Sequence, residues 1–166
     1  MPPERKTEIM SIKFAIITCS DTRSIKEDTA GAALEDLIRK EGWEIVSHVV
    51  VPDDRAIISE SIVEAADIVG ADIILTCGGS GLSLRDNTPE ATADVCDRAV
   101  PGIAEAMRAY SMGITGRAML SRAVCMQRNS HLVINFPGSL KAAQENWTGI
   151  YEQFEHAVSM TAGEGH

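Results

Sequence analysis

The segment 77–91 carries the residue types best suited to handling phosphate groups. It contains the turn Gly78-Gly79-Ser80-Gly81, in which three glycines in four residues let the backbone bend sharply and approach a ligand closely. Successive N–H groups exposed in such a turn form a cradle for an anion. Thr88-Pro89-Glu90 follows as a predicted helix start, with Thr88 as the N-cap and Pro89 at the first helical position. The segment therefore predicts a phosphate-handling site.

Charged side chains outside the glycine turn are candidates for binding a metal ion and for neutralising phosphate charge. Asp53 and Asp86 are the candidates for holding Mg²⁺, which proteins usually bind with one or two carboxylates together with substrate phosphates. Arg85 is suited to offset charge that develops on a transferred phosphate. Gly138-Ser139, at the start of the last predicted helix, offers a second anion site. This combination favours phosphoryl or nucleotidyl transfer, which needs no dedicated nucleophilic side chain.

Apolar runs and helical spacing predict alternating strands and helices. The predicted strands cover residues 13–18, 45–51, 73–76, 121–127 and 132–136. The predicted helices cover residues 30–38, 57–69, 88–98, 101–111 and 140–158. Short apolar strands separated by helices favour an α/β fold with a mostly parallel sheet that is covered on both faces.

Polar segments follow four of the predicted strands. They are Ser20-Asp21-Thr22-Arg23, Pro52-Asp53-Asp54-Arg55, the glycine turn with Arg85-Asp86, and Pro137-Gly138-Ser139. Ligands of parallel α/β sheets bind beyond the carboxyl ends of the strands. We therefore expect these four segments to meet at one edge of the sheet and to form a single site.

The bulk properties bound the class of protein. The 166 residues suit one domain with a substantial core, and we expect a polar lead-in over 1–12, a single domain over 13–160 and a frayed tail over 161–166. The net charge of −9 argues against a nucleic-acid surface or an anionic-membrane surface. No apolar run approaches the roughly 20 residues that span a bilayer and no signal-type segment is present, so the cytoplasm is the expected location.

The four cysteines form no C-x-x-C pair and are expected to be reduced. Trp43 and Trp147 are expected in the core or in an interface.

Three familiar motifs fail at the glycine turn. A P-loop that starts at Gly78 would need glycine and lysine at the positions of Ser83 and Leu84. A dinucleotide-binding fingerprint that starts at Gly79 would need glycine at the position of Leu84. A nucleophile elbow would need glycine at Leu82. His131 precedes its predicted strand and is expected at the opposite edge of the sheet, which disfavours a Ser–His hydrolase.

Ordinary structural roles stay open for several of these residues. One of Asp53 and Asp54 is expected to cap the second helix, and Asp86 is compatible with a simple turn position. For Arg117 and Arg122 an ordinary surface charge is an alternative that stays open. The shared position of the polar segments after strands is what favours a functional interpretation.

A set of short motifs, in this order, is typical of one known family. The motifs are Ser20-Asp21-Thr22-Arg23, Asp28-Thr29-Ala30-Gly31, Val51-Pro52-Asp53-Asp54, Gly78-Gly79-Ser80-Gly81, Arg85-Asp86-Asn87-Thr88-Pro89-Glu90-Ala91, Val100-Pro101-Gly102, Leu120-Ser121-Arg122 and Asn135-Phe136-Pro137-Gly138-Ser139. On these motifs the chain resembles the MoaB/MogA molybdopterin adenylyltransferase family, and with it the G domain of gephyrin. The resemblance runs from about residue 13 to residue 158. It implies a three-layer, Rossmann-like α/β/α sandwich that assembles as a trimer or, in the MoaB branch, a hexamer.

The resemblance also implies a reaction and a set of site residues. Mg²⁺, ATP and molybdopterin are implied, with the terminal phosphate of the pterin attacking the α-phosphate of ATP and pyrophosphate leaving. Asp53 and Asp86 fall on the family's critical aspartates, near the metal and the reacting phosphates. The implied substrate-binding residues are Ser20, Asp21, Gly78, Gly79, Ser80, Gly81, Arg85, Thr88, Glu90, Ser121, Pro137, Gly138 and Ser139. Other molybdenum-cofactor enzymes are implied as partners.

Departures from the family pattern keep two further hypotheses open. Ser80 replaces the usual threonine of the glycine turn, Cys77 stands where the family often has a small residue, and Leu140 stands where proline often follows the Pro-Gly-Ser turn. The chain lacks the MogA insertion before the last helix, so the MoaB branch is the closer match. One alternative is a catalytically silent, pterin-binding scaffold, and another is a sugar-nucleotide or phosphate-ester enzyme on the same fold. The retained Arg85-Asp86 and Thr88-Pro89-Glu90 favour an active enzyme.

Overall fold

Six strands form one sheet in the computed structural model, which describes residues 11–163. They are β1 (Lys13–Cys19), β2 (Glu44–Val51), β3 (Ile73–Cys77), β4 (Arg98–Ala99), β5 (Cys125–Arg128) and β6 (His131–Phe136). Their order across the sheet is β2-β1-β3-β6-β5-β4. β1, β2, β3 and β6 are parallel, whereas β5 runs antiparallel to β6 and β4 runs antiparallel to β5. The predicted α/β fold with a mostly parallel sheet is confirmed.

Helices cover both faces of this sheet and make the outer layers. They are α1 (Thr29–Lys40), α2 (Arg55–Val63), α3 (Thr88–Val95), α4 (Pro101–Met112), α5 (Leu140–Ile150) and α6 (Phe154–Thr161). A π-helical turn at Glu64–Ile68 continues α2, and 3-10 turns lie at Gly116–Leu120 and Tyr151–Gln153. Within residues 11–163, no helix combines the length and the apolar character needed to cross a membrane.

Each face of the sheet has its own apolar core. On one face Phe14 stacks on Trp43 with ring centroids 5.5 Å apart, and Trp147 meets Phe154 edge-on at 5.4 Å. On the other face α2 and α3 bury a smaller cluster around Ile62. Removing each such large side chain from water contributes about 1.5–3 kcal/mol. Both tryptophans lie in the core, as the sequence predicts.

The four parallel strands end at the same edge, which we call the carboxyl rim. The register pairs Thr18 with Cys77 and Cys77 with Phe136, so the loops after β1, β3 and β6 lie side by side. Cys19 pairs with Val51, which adds the loop after β2. Because β5 runs in the opposite direction, the segment that leads into it also lies at this rim. His131 begins β6 and therefore lies at the opposite edge, as predicted.

Local hydrogen bonds displace several predicted element boundaries. The second helix becomes a π-turn near its end, where the Val69 N–H donates to the Glu64 carbonyl at 2.9 Å. The predicted helix 88–98 ends at Val95, because the chain then pairs with β5 as β4. The predicted strand 121–127 is shortened and shifted to β5, and the predicted terminal helix is interrupted between α5 and α6.

The start of α3 differs from its prediction by one residue. Thr88 is not the N-cap, since Asn87 occupies that position and Thr88 is the first helical residue. The Thr88 hydroxyl instead donates to the Gly78 carbonyl at 3.0 Å, so its contact with the glycine turn takes the place of a capping bond. The prediction that Pro89 occupies the first helical position is likewise wrong by one residue.

The predicted lead-in and tail lie partly outside the described residues. Of the lead-in over 1–12 only Ser11 and Ile12 are described, and Ile12 is fully buried in the core. α6 includes Thr161, the first residue of the predicted tail, whereas residues 164–166 are not described.

Candidate active site

The glycine turn after β3 adopts a backbone that only glycine accommodates. Gly78 and Gly79 have φ values of +102° and +71°, in the region that disfavours a side chain. A Cβ on Gly78 would lie 2.6 Å from the Cys19 carbonyl oxygen, and one on Gly79 would clash with the Thr88 hydroxyl. The Thr88 N–H also donates to the Gly79 carbonyl at 3.1 Å. The turn is therefore pressed against the end of β1 and fixed from the start of α3.

The loops after β1 and β6 meet the same turn. The Gly78 N–H donates to the Phe136 carbonyl at 2.9 Å, and a Cβ on Gly138 would lie 3.3 Å from the Gly78 Cα. The Arg23 guanidinium donates to the Gly138 carbonyl at 2.9 Å. Three of the four predicted loops are thus in direct contact.

The fourth loop joins through a pair of aspartates. The Asp21 N–H donates to Asp53 Oδ2 at 3.2 Å, and the Asp53 N–H donates to Asp21 Oδ1 at 3.0 Å. Arg85 adds an ion pair to Asp21, with its two nitrogens 2.6 and 3.1 Å from Oδ2. Asp53 Oδ1 is buried and has no hydrogen-bond partner among residues 11–163. A buried carboxylate oxygen without a partner is a group that a bound ion can satisfy.

The carboxylates around Asp53 influence one another. Burial raises the pKa of the Asp53 carboxyl above its ordinary value, and the carboxylates of Asp21 and Asp86 raise it further. Hydrogen bonds from the Arg85 guanidinium hold the pKa of Asp21 below its ordinary value. A buried oxygen without a partner and two neighbouring carboxylates fit the hard oxygen donors that Mg²⁺ prefers.

The described side chains do not supply enough ligands to bind a metal ion by themselves. Among residues 11–163, no group of three or more His, Cys, Asp or Glu side chains is arranged to hold a metal ion. A cation beside Asp53 would therefore take most of its ligands from water and from substrate phosphates, which is the usual coordination of Mg²⁺ in enzymes that act on polyphosphates.

A cavity of about 640 Å³ opens beside the glycine turn. Of the predicted site residues, it is lined by Gly78, Gly79, Ser80, Gly81, Asp86, Ser121, Pro137, Gly138 and Ser139. Arg108, Arg117 and Lys141 bring positive charge to its wall. Its volume is in the range of pockets that enclose a small organic ligand, about 300–1,000 Å³. The site thus has an acidic part around Asp53 and a larger, partly basic part next to it.

Several predicted residues shape the loops. The Ser20 hydroxyl accepts the N–H groups of Thr22 and Arg23 at 3.3 and 3.1 Å, and Ser139 caps α5 by accepting the Ala142 N–H at 3.3 Å. Thr88 is fully buried under the glycine turn.

The structural role expected for one of the paired aspartates falls on Asp54. It caps α2 by accepting the Ile57 N–H at 3.0 Å. Asp53 therefore has no capping role in α2, and its carboxylate borders the glycine turn.

Arg122 was not among the predicted site residues, and of the roles left open for it the structure does not support a free surface charge. Its guanidinium donates to the Gly81 carbonyl at 2.7 Å, to the Asp86 carbonyl at 2.8 Å and to the Glu90 carboxylate at 2.6 Å. The sequence feature that could have identified Arg122 is its position next to Ser121, in the segment that leads into β5. That segment reaches the rim only because β5 is antiparallel, which the sequence pattern does not reveal. Arg117, for which a surface charge was likewise left open, is exposed and lines the cavity.

Fold and site together define an α/β protein whose glycine turn, aspartates and cavity lie at the carboxyl rim of a mostly parallel sheet. Residues 15–156 match the family described as "Probable molybdopterin binding domain", and the chain belongs to that family. It is 31% identical over 159 residues to the molybdopterin adenylyltransferase of Helicobacter pylori, covering 93% of this chain and 90% of that protein. It is 34% identical over 148 residues to molybdenum cofactor biosynthesis protein B of Halalkalibacterium halodurans, covering 88% and 87%.

A solved structure supports the same assignment. The molybdopterin biosynthesis enzyme MoaB of Thermus thermophilus superposes with a TM-score of 0.85 at 37% sequence identity, covering 93% of this chain and 98% of that one. The resemblance drawn from the sequence motifs is therefore confirmed over nearly the whole described chain.

Proposed function

We propose that this protein is a molybdopterin adenylyltransferase of molybdenum cofactor biosynthesis. It transfers AMP from ATP to the terminal phosphate of molybdopterin. An oxygen of the pterin phosphate forms a bond to the α-phosphorus of ATP while the bond to the β-phosphate oxygen breaks, and pyrophosphate leaves. The observation that carries this proposal is the buried, unpartnered Asp53 Oδ1 beside the glycine turn. The names of the relatives point to the same reaction.

Asp53 and Asp86 are the residues that would hold Mg²⁺ with the triphosphate. When bound, the ion supplies charge neutralisation on the phosphates during transfer. Asp86 is already oriented toward the turn, because its Oδ2 accepts the Gly81 N–H at 3.1 Å. Asp53 is oriented by the Asp21 backbone and side chain.

The remaining residues bind and orient the two substrates. The glycine turn presents backbone without side chains, so phosphate groups can approach it closely. Ser80, Ser121 and the Pro137–Ser139 turn line the cavity, which we assign to the pterin. We assign Arg85, which is paired with Asp21 next to Asp53, to offset charge on the triphosphate.

The direct test is turnover by the purified protein. Incubation with molybdopterin and Mg·ATP should release pyrophosphate and yield adenylyl-molybdopterin, and Asp53→Asn should abolish both. Asp54→Asn is a matched control, because it removes the same charge one residue away and asparagine caps a helix as well as aspartate does. Tight pterin binding without pyrophosphate release would instead favour the catalytically silent scaffold. Absence of pterin affinity would favour a different phosphate-ester substrate.

We further propose that the protein acts as a homo-oligomer, either a trimer or a hexamer, in the cytoplasm. Leu84 is 99% exposed, and Leu82 and Met119 are each 64% exposed, which suits burial against another copy. The four free cysteines suit a reducing compartment. Light scattering on the purified protein distinguishes a trimer from a hexamer, and cell fractionation tests the location.

A further inference from the structure

We propose that Arg122 is a positioning residue that fixes the segment between the glycine turn and α3, and through it the carboxylate of Asp86. The inference rests on the proposed function in one respect, namely that Asp86 acts in the transfer reaction. The hydrogen-bond geometry that supports it is independent of that function.

Arg122 contacts this segment at both of its ends. Its Nε donates to the Gly81 carbonyl at 2.7 Å and its Nη2 donates to the Asp86 carbonyl at 2.8 Å. Its own N–H donates to the Ser80 carbonyl at 2.8 Å. One residue therefore joins the beginning and the end of the segment 81–86.

Closing the segment in this way brings the Asp86 side chain back to the glycine turn. Asp86 Oδ2 accepts the Gly81 N–H at 3.1 Å, and a Cβ on Gly81 would lie 3.0 Å from that same oxygen. The carbonyl of Gly81 and the carbonyl of Asp86 bond to one planar guanidinium. The planar guanidinium of Arg122 therefore fixes the distance between these two carbonyl groups, and with it the orientation of the Asp86 carboxylate.

Glu90 holds the guanidinium in place from the other side. The Arg122 Nη1 lies 2.6 Å from Glu90 Oε1, with the arginine side chain 37% and the glutamate 33% exposed. Glu90 lies in α3, so the ion pair anchors the segment to a helix. All three nitrogens of the Arg122 guanidinium donate to protein oxygens, so we assign it a role through Asp86 and not on substrate directly.

The experiment compares two arginines with similar bonding. Arg128 donates to both carboxylate oxygens of Asp67 at 3.1 and 2.6 Å and to the Val95 carbonyl at 2.7 Å, near the opposite edge of the sheet. Arg122→Lys and Arg128→Lys therefore each lose a guanidinium that makes three hydrogen bonds. We expect kcat of Arg122→Lys to fall about 100-fold, the scale for a misplacement of about 1 Å, with KM for the pterin nearly unchanged. We expect kcat of Arg128→Lys to stay at the wild-type value.

A second measurement separates positioning from general destabilisation. Added guanidinium ion should restore part of the kcat lost in Arg122→Ala, because it can occupy the vacated space between the two carbonyls and Glu90. The thermal midpoint of each variant is recorded alongside. Equal loss of activity in the Arg122 and Arg128 variants, in proportion to their loss of stability, would overturn the proposal. Wild-type kcat in Arg122→Ala would overturn it as well.

Amide hydrogen exchange tests the inference even if the wild-type protein transfers no AMP. Exchange across residues 81–86 should accelerate in Arg122→Lys and stay unchanged in Arg128→Lys. Unchanged exchange in both variants would contradict the positioning role. Absence of turnover in the wild-type protein would contradict the proposed function alone.

Discussion

Asp53 and Asp86 flank the same glycine turn, although 33 positions separate them in the chain. Asp53 Oδ1 lies 3.4 Å from the Cβ position of Gly79, and Asp86 Oδ2 lies 3.0 Å from that of Gly81. The negative charge of Asp86 contributes to the raised pKa of Asp53. Two carboxylates that both border the glycine turn favour a cation between them and the phosphates.

Asp86→Asn tests the charge at this position. The amide can still accept the Gly81 N–H, so the turn should keep its shape while a negative charge is lost. We expect turnover to fall about 10²–10³-fold, the scale for removing one group that stabilises the transition state. Asp97→Asn is the control, since Asp97 likewise accepts a backbone N–H, that of Asn129 at 2.6 Å, at the opposite edge. Normal pyrophosphate release by Asp86→Asn would remove this carboxylate from the mechanism.

Gly79→Ala tests the shape of the turn. Gly79 and Gly42 have similar φ values of +71° and +81°, so alanine costs each about 1–2 kcal/mol of backbone strain. Only at Gly79 does the new methyl group clash with Thr88, and we expect a total loss of about 2–5 kcal/mol there together with loss of activity. Urea unfolding and turnover of both variants measure the difference. Equal stability of the two variants would contradict the crowding seen at the rim.

A buried histidine lies between two carboxylates beneath the rim. His48 Nε2 is 2.9 Å from Asp28 Oδ2 and Nδ1 is 2.8 Å from Glu35 Oε1, with the ring 7% exposed. Thr18 donates to Asp28 as well. Burial opposes the charged ring, but the hydrogen bonds to Asp28 and Glu35 outweigh it and raise the pKa of His48 above its ordinary value. Burial likewise opposes charge on Asp28, yet its hydrogen bonds from His48, Thr18 and the Gly31 N–H lower its pKa overall.

His48→Gln should change how stability depends on pH. Because the pKa of His48 is higher in the folded state than its ordinary value of 6.5, the charged ring stabilises the folded protein. This stabilisation is fully present below pH 6.5 and is lost as the pH rises through the pKa of the folded state. We expect the variant to be about 1–3 kcal/mol less stable at pH 6 and to show a flatter profile above pH 6.5. Denaturant unfolding across this pH window measures it, with exposed His156→Gln as the control. Parallel profiles for wild type and His48→Gln would contradict the charged pairing.

The cysteines should be unreactive in the native protein. Burial raises the pKa of Cys19, Cys77 and Cys125 to about 12 and that of Cys96 to about 11, so the thiolate is scarce near neutral pH. An aromatic disulfide reagent at pH 8 should label the native protein slowly and all four thiols after denaturation. Rapid labelling of Cys19 or Cys77, which end β1 and β3, in the native protein would show that the rim opens readily.

The sequence predicts the strands and the rim better than the connections between them. β1 and β3 are recognisable because burial on both faces makes each an unbroken apolar run. β4 has two residues and is too short to carry any periodicity. The roles of Thr88 and Arg122 depend on hydrogen bonds to the glycine turn, which is distant in the chain from Arg122, and composition and spacing do not encode such contacts. The grouping of Asp53 with the turn was predictable, because it follows from strand direction alone.

The left-handed turns at the amino ends of the strands are open, unlike those at the carboxyl rim. Gly42 and Gly70 have φ values of +81° and +76°, and a methyl group built on either meets no atom within 4 Å. Asn129, with φ of 50°, lies in a further left-handed turn between β5 and β6, where Asp97 accepts its N–H. We therefore expect insertions to be tolerated better at this edge of the sheet than at the carboxyl rim. We expect a reporter peptide inserted at Gly70 to label the protein at the edge of the sheet opposite the glycine turn.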